Sequence, residues 1–372
     1  MISDWGGGSL LVTSHKSQVT KKIMKEIVDN PYFAKLAPYI FPELSLEEAR
    51  EVVLSCHDSA EFQQRVMYPA SCAVIKHSMT AFTYDGEEYL QDCRPSLFIS
   101  NHRDITIDAM LLQYVQLSHH RPTSHIVVGS NLFEFPLLAQ LSEINKMYGI
   151  GRGGTPREYY AVLMDMSRHL RHWVAECGES AWIAQRNGRT KDGLDRTDPA
   201  LLKMIAASGN RNNVVDSLSA MNIVPLSISY EWEPCGWLKA REVCLSKQGP
   251  YKKVPGEDTQ SVISGICDFK GRVHLTVCRP LSNDELEATH GDFNAVAALI
   301  DSRIAEGYHR WPNQAIAADI RQGKNSLANQ YTPAERKAFE DYLAAAEAKY
   351  GMGEDFRQTL LDIYCVSVIS DQ

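Results

Sequence analysis

Apolar positions recur at two different spacings along the chain, and the change between them falls near residue 94. Before it the spacing is helical. In SQVTKKIMKEIVDN (17–30), Val19, Ile23 and Ile27 share one stripe while Lys21, Lys22 and Lys25 fall elsewhere. PYFAKLAPYIF (31–41) follows, rich in aromatics. SLEEAREVVLSC (45–56) opens with Ser45 and Glu48 in the S-x-x-E arrangement that satisfies free amides at a helix start, and 60–79 predicts a further helix pair. From residue 94, short apolar runs alternate with helical stretches. Strands are predicted at 96–100, 125–129, 181–185, 223–230 and 272–278, with helices at 105–118, 133–142, 156–175 and 198–220. Such alternation predicts an α/β domain with a largely parallel central sheet flanked by helices. Beyond 283 the helical spacing returns, at 283–307, 334–347 and 354–366, while 246–260 predicts an exposed loop. Three regions result: a helical N-terminal region (1–93), an α/β core (94–282) and a helical C-terminal region (283–372).

Composition narrows the function classes. Of 372 residues, 44% are apolar and 23% charged, as in ordinary globular proteins, and the net charge is −8. An acidic balance argues against a general nucleic-acid partner, whose footprint is a basic surplus. The nine cysteines are scattered, odd in number and without a C-x-x-C pair, which predicts reduced thiols and no zinc or other metal site. No segment approaches the ~18 continuous apolar residues of a spanning helix, and none resembles a signal peptide. The sequence therefore predicts a cytoplasmic protein that meets a membrane only at its surface.

Candidate chemistry gathers where predicted strands end, as ligands do in such sheets. FISNHRDITIDAM (98–110) places His102 directly after an apolar run, with Asp104 and Asp108 in the helix start that follows. Asp104 is placed to cap that helix, and Asp108 to point back toward the strand end. Both could instead merely favour the positive helix terminus, but an acid that orients an imidazole makes a general base. MYGIGRGGTP spells G-x-G-x-x-G at 149–154. A dinucleotide site also needs an acid closing the next strand, and that strand instead runs into Gln185 and Arg186. This disfavours a nicotinamide cofactor, with only a 2′-phosphorylated one compatible, and suggests that Arg152 faces an anion. IAQRNGRTKDG (183–193) clusters Arg186, Arg189 and Lys191 around Asn187 and Gly188. Residues 150–212 hold ten Lys/Arg against seven Asp/Glu, a locally positive stretch in an acidic chain, and guanidinium groups bind phosphate bidentately.

The order and spacing of these blocks, with Val224-Pro225 opening the next strand, resemble the glycerolipid acyltransferase superfamily, which includes the glycerol-phosphate and lysophosphatidate acyltransferases. Asn101, His102 and an aspartate resemble its N-H-x4-D block, Arg152 its second, and QRNGRT its F-P-E-G-T-R block, where Gly188 and Arg189 match best. Two departures mark a divergent branch. The first block is one residue longer if Asp108 is the partner, and Asn187 replaces a glutamate while the proline is missing. The resemblance covers roughly 94–280. It implies His102 as general base with Asp108 as its partner. Arg152 and Arg189, with Arg186, Lys191, Asn187 and Gly188, would hold an anionic acceptor. The donor would be acyl-CoA or acyl-carrier protein, with no cofactor, and the acceptor a lyso-lipid, 1-acylglycerol-3-phosphate foremost. Lipid substrates imply docking on the inner face of a membrane, for which the Lys-rich helix 17–28 with Phe33, Leu36, Tyr39, Ile40 and Phe41 is the candidate. Asn187 also leaves a second reading, a non-catalytic protein that binds lipid or phosphate.

Overall fold

In the computed structural model of the protein, the described residues are 20–91, 94–151, 153–210, 212–254 and 256–369, with side chains described to 365. A seven-stranded sheet has the order β1-β7-β6-β2-β5-β3-β4. Its strands are β1 (Met79–Asp85), β2 (Leu97–Ser100), β3 (His125–Gly129), β4 (Met147–Ile150), β5 (Ala181–Ala184), β6 (Ile223–Tyr230) and β7 (Gly271–Val277). Every neighbouring pair is parallel except β6 with β7. The chain is thus an α/β fold with a mostly parallel sheet, and the ends of β2–β6 share one edge.

Both faces of the central strands are covered, which explains their unbroken apolar runs. Leu97 and Ile99 of β2, Ala181 and Ile183 of β5, and Ile223 of β6 pack on one side with Leu170, Leu202, Ile205, Val296, Ile300 and Ile304. Phe98, Trp182, Val224, Leu226 and Ile228 face the other side, against Ile107, Leu111, Leu112 and Val115 of the helix Ile107–Ser118. Alternate residues of one strand therefore feed opposite layers. Val296, Ile300 and Ile304 lie beyond residue 283, so the C-terminal helices share the sheet's core. The helices Gly236–Gln248, Pro312–Gln322, Pro333–Tyr350 and Gly353–Ile369 form a third apolar cluster beside it.

Two strands escaped the sequence pattern. β1 falls inside the region expected to be helical, because MTAFTYD follows the helix Tyr68–Ser78 without a breaker. It is an edge strand whose residues after Met79 are half-buried or exposed, so no apolar run announces it. The four residues of β4 form the opposite edge and sit within the glycine-rich stretch. The predicted loop 246–260 is shorter, since Gly236–Gln248 and Glu257–Cys267 are helices. The predicted helix 198–220 divides into Pro199–Ala206 and Val214–Ser219.

The N-terminal stripe is also turned inward. Ile23, Met24, Ile27, Val28, Phe33, Ala37 and Phe41 pack together with Val53, Phe62, Leu137 and Ile144. Tyr39 and Ile40 are half-buried, leaving Leu36 exposed among the residues expected to meet a membrane. Residues 17–19 lie outside the described residues. No helix among the described residues is long and apolar enough to cross a membrane.

Gly86 ends β1 at φ +75°, and a Cβ there would stand 1.9 Å from the carbonyl oxygen of Val277. Backbone cannot yield as a side-chain tip can. Gly86→Ala is expected to cost about 2–4 kcal/mol, measured as a lower urea midpoint with an unchanged slope.

Candidate active site

At the end of β2 the chain turns through Asn101-His102-Arg103-Asp104 before the helix Ile107–Ser118 begins. Three buried side chains shape the turn. The Asn101 amide donates to the Ile228 carbonyl (2.9 Å) and accepts from the Ile228 N–H (2.9 Å), fixing the end of β2 to β6. Asp104 Oδ1 accepts from the backbone N–H groups of Thr106 and Ile107, both at 2.8 Å, and so caps the helix. Asp108, fully buried in the first turn, points back. Its Oδ2 accepts from the N–H groups of Arg103 (2.8 Å) and Asp104 (2.9 Å), and its Oδ1 from the Tyr230 hydroxyl (2.7 Å).

His102 Nδ1 lies 3.2 Å from the same Oδ2. The other contacts of that carboxyl are all donors, which makes Nδ1–H the donor here and leaves Nε2 with its lone pair. The Tyr230 hydroxyl is held as a donor too, since burial, then the charges of Asp108 and Asp104, push its pKa well above the usual value. Asp108, not Asp104, is thus the partner of His102. The extra residue in the spacing is absorbed because Asp108 reaches back across the first helical turn while Asp104 caps it.

Behind this turn lies a buried group of four charges. Arg103 donates to Asp195 at 2.6 Å and to Glu233 at 3.3 Å. Lys239, wholly buried, donates to Glu233 at 2.5 Å and to the Arg103 carbonyl at 2.6 Å. Burial opposes the Arg103 charge, but Asp195, Tyr308 and Glu233 outweigh it and raise the pKa well above normal. The C-terminal helix joins in, because the Glu233 N–H donates to the Tyr364 hydroxyl at 2.9 Å.

His102 borders a cavity of about 690 Å³ at the strand ends. Arg186, Asn187, Gly188, Arg189 and Lys191 line it as well, brought over His102 by the turn after β5, where the Thr190 N–H donates to the His102 carbonyl at 2.8 Å. Val127, Ile150, Leu163, Trp182, Leu201 and Met204 supply apolar walls. The cations are not equivalent. Lys191 is neutralised by Glu242. Arg189 is 8% exposed and lies beside Cys235, yet its Nη1 is buried with no hydrogen-bond partner. Such a donor costs roughly 1–3 kcal/mol until something accepts from it. Arg152 lies outside the described residues, while Gly151 and Gly153 on either side line the cavity. The G-x-G-x-x-G run begins in the last two residues of β4, an edge strand with no reversal of strand order beside it, unlike the crevice that binds dinucleotides.

Sequence reasoning missed Arg103, Asp195, Tyr230, Glu233 and Lys239. Arg103 stands within the first block and Tyr230 ends a predicted strand, but their partners arrive from 92 to 136 residues away. Glu233 and Lys239 lie around the helix Gly236–Gln248, whose apolar residues follow no single stripe.

Residues 81–226, under half of the chain, match the acyltransferase family model. Among solved structures, the 1-acyl-sn-glycerophosphate acyltransferase PlsC from Thermotoga maritima is similar at 12% identity and a TM-score of 0.43, over 79% of this chain and 97% of that one. No curated protein matches the chain.

Arg103→Met would leave Glu233 with Lys239 as its cation and the part-buried Asp195 without one. A loss of about 3–5 kcal/mol is expected, read from the urea midpoint, while Arg186→Met at the half-exposed cavity lip stays within about 0.5 kcal/mol of wild type.

Proposed function

We propose, with the acyltransferase-family match of residues 81–226 as the premise, that the protein moves a fatty acyl group from an acyl thioester to the hydroxyl of a lysophospholipid-like acceptor. The acceptor that fits best is 1-acylglycerol-3-phosphate. One observation carries this reading: an imidazole held by a buried carboxylate shares a cavity with an arginine whose Nη1 has no partner.

His102 Nε2 takes the proton of the acceptor hydroxyl as its oxygen attacks the thioester carbonyl carbon. Asp108 keeps the proton on Nδ1 and stabilises the imidazolium that forms. The tetrahedral intermediate collapses with cleavage of the carbon–sulfur bond, and the imidazolium returns its proton to the departing thiolate. No serine or cysteine nucleophile is required. Arg189 donates from Nη1 to the acceptor's phosphate, and Arg186 adds positive charge at the cavity lip. Gly188, at φ +78°, lets the turn after β5 double back and bring Arg189 over His102. Asn187 offers a neutral amide rather than a carboxylate to the head group, which lowers the repulsion an anion meets there. The donor is acyl-CoA or acyl-carrier protein, and the enzyme works at the inner face of the membrane from the cytoplasm.

Thioester consumption with a lysophosphatidate acceptor tests this. His102→Ala is expected to lower turnover by roughly 10²–10⁴-fold while the protein stays folded. Arg189→Ala should raise KM for the phosphate-bearing acceptor about tenfold or more, with a smaller change for an uncharged one. Equal turnover in wild type and His102→Ala would refute the mechanism. Lipid binding without turnover across acceptors and both donors would instead mark a non-catalytic binding protein.

A further inference from the structure

A buried polar atom at the cavity has no part in the mechanism above. Asn131 stands two residues beyond β3, in the short turn Ser130–Glu134. It lines both the cavity of His102 and a second one, of about 320 Å³, that adjoins it. Leu132, Lys253 and Asp258 also line both, so Asn131 marks the junction. Its Nδ2 donates to Asp258 Oδ2 at 2.9 Å, while its Oδ1 is buried with no hydrogen-bond partner among the described residues.

The bond to Asp258 fixes which way the amide faces. Burial opposes the Asp258 charge, but Lys253 at 2.5 Å, the Asn131 amide and the charge of Arg189 outweigh burial and lower its pKa. An ionised carboxylate only accepts, so turning the amide over would set oxygen against oxygen. Oδ1 is therefore held as an open acceptor, an arrangement that costs free energy until a donor reaches it. Arg189 offers the opposite kind of open atom, the donor Nη1.

Substrate chemistry decides what each atom meets. In the acyl-transfer reading, on which this inference rests, 1-acylglycerol-3-phosphate has a single hydroxyl, whose proton goes to His102. Its phosphate and ester oxygens are acceptors, which suit Arg189 and have nothing to give Asn131. An ammonium is a poor match for Oδ1, because Asp258 is already paired with Lys253 and Arg189 adds positive charge nearby. The acyl donor remains. Acyl-CoA and acyl-carrier protein present the acyl group on the same pantetheine arm, which carries amide N–H groups, the nearer one two carbons from the sulfur.

Placement in the sheet agrees with this. β2, β5 and β3 are parallel neighbours, so His102 and Asn131 follow strand ends on one edge, two strands apart. At the usual spacing that is about 10 Å. A hydrogen bond and a two-carbon link fit within such a span and leave the thioester carbon on the His102 side.

We infer that Asn131 binds the acyl donor, its Oδ1 accepting from a pantetheine amide N–H. Arg189 and Asn131 then sort the two substrates of one reaction, the first taking the anion of the acceptor and the second the neutral arm of the donor.

Steady-state kinetics of Asn131→Leu, with each substrate varied in turn, tests this. KM for the pantetheine thioester is expected to rise about three- to tenfold, by the same factor for each donor, CoA or carrier protein, that the enzyme consumes. KM for the acceptor stays near wild type and the protein stays folded. With an acyl thioester of a simple alkanethiol, which has no amide, wild type and variant should have the same kcat/KM. Asn131→Ala is expected to show the same pattern and stands in if the leucine variant does not fold. An unchanged donor KM would overturn the inference, as would a rise confined to the acceptor. So would an equal loss with the alkanethiol thioester, the result of a merely structural role. A rise with acyl-carrier protein and none with acyl-CoA would overturn it too, by assigning Asn131 to the surface of the carrier protein. Calorimetry with a non-reacting CoA thioether separates this inference from the reading beneath it. Binding that weakens in Asn131→Leu, with no thioester consumed by wild type, leaves the donor site standing and refutes acyl transfer. Turnover with the same donor KM in both proteins refutes the donor site alone.

Discussion

The site depends on one buried carboxylate. Asp108 has no contact with solvent, and two backbone amides, the Tyr230 hydroxyl and the His102 imidazole all donate to it. Hydrogen bonds to a charged group are worth about 1.5–3 kcal/mol each, and together they offset the cost of removing that charge from water. The same bonds define the turn between β2 and its helix, since two of the donors are consecutive amides of the turn itself. The geometry that presents His102 and the geometry that closes the fold at this corner are therefore one arrangement. The four charges behind it serve the same end. Lys239 holds the Arg103 carbonyl, and Asp195 and Glu233 hold the Arg103 guanidinium.

Much of this was legible in the sequence where a single strand or helix turn decides the matter. The five expected strands are present with boundaries shifted by a residue or so, because strands covered on both faces must read as apolar runs. The separation of Asp104 from Asp108 was legible as well, since helical periodicity puts one at the cap and the other within the first turn. What escaped the reading was decided at long range. β1 is half-exposed and gains its place only by pairing with β7, about 190 residues later. The membrane-docking stripe failed for a related reason: a helix with an apolar face gives no sign of whether protein or lipid covers it. Here Leu137 and Ile144 of a later helix do so.

Charge within the cavity is organised by what is already paired. Lys191 and Lys253 are each matched to a carboxylate, Glu242 and Asp258, whereas Arg189 keeps a buried donor open. A planar guanidinium can bond one neighbour with one edge and a ligand with another, which an ammonium does less well. Arg189 therefore offers a fixed positive charge with an open donor in the cavity that His102 borders. The cavity is thus locally positive in a chain of net negative charge, and it is the charge within a few ångströms, not the sum over the surface, that a ligand meets.

The most direct measurement compares turnover in Asp108→Asn and Asp104→Asn, at a temperature where both variants remain folded. If Asp108 orients the imidazole and Asp104 caps the helix, Asp108→Asn lowers kcat about a hundredfold or more with KM little changed. Asp104→Asn then lowers stability by about 1 kcal/mol and leaves kcat near wild type. The reverse pattern, with kcat lost in Asp104→Asn and kept in Asp108→Asn, would contradict the account.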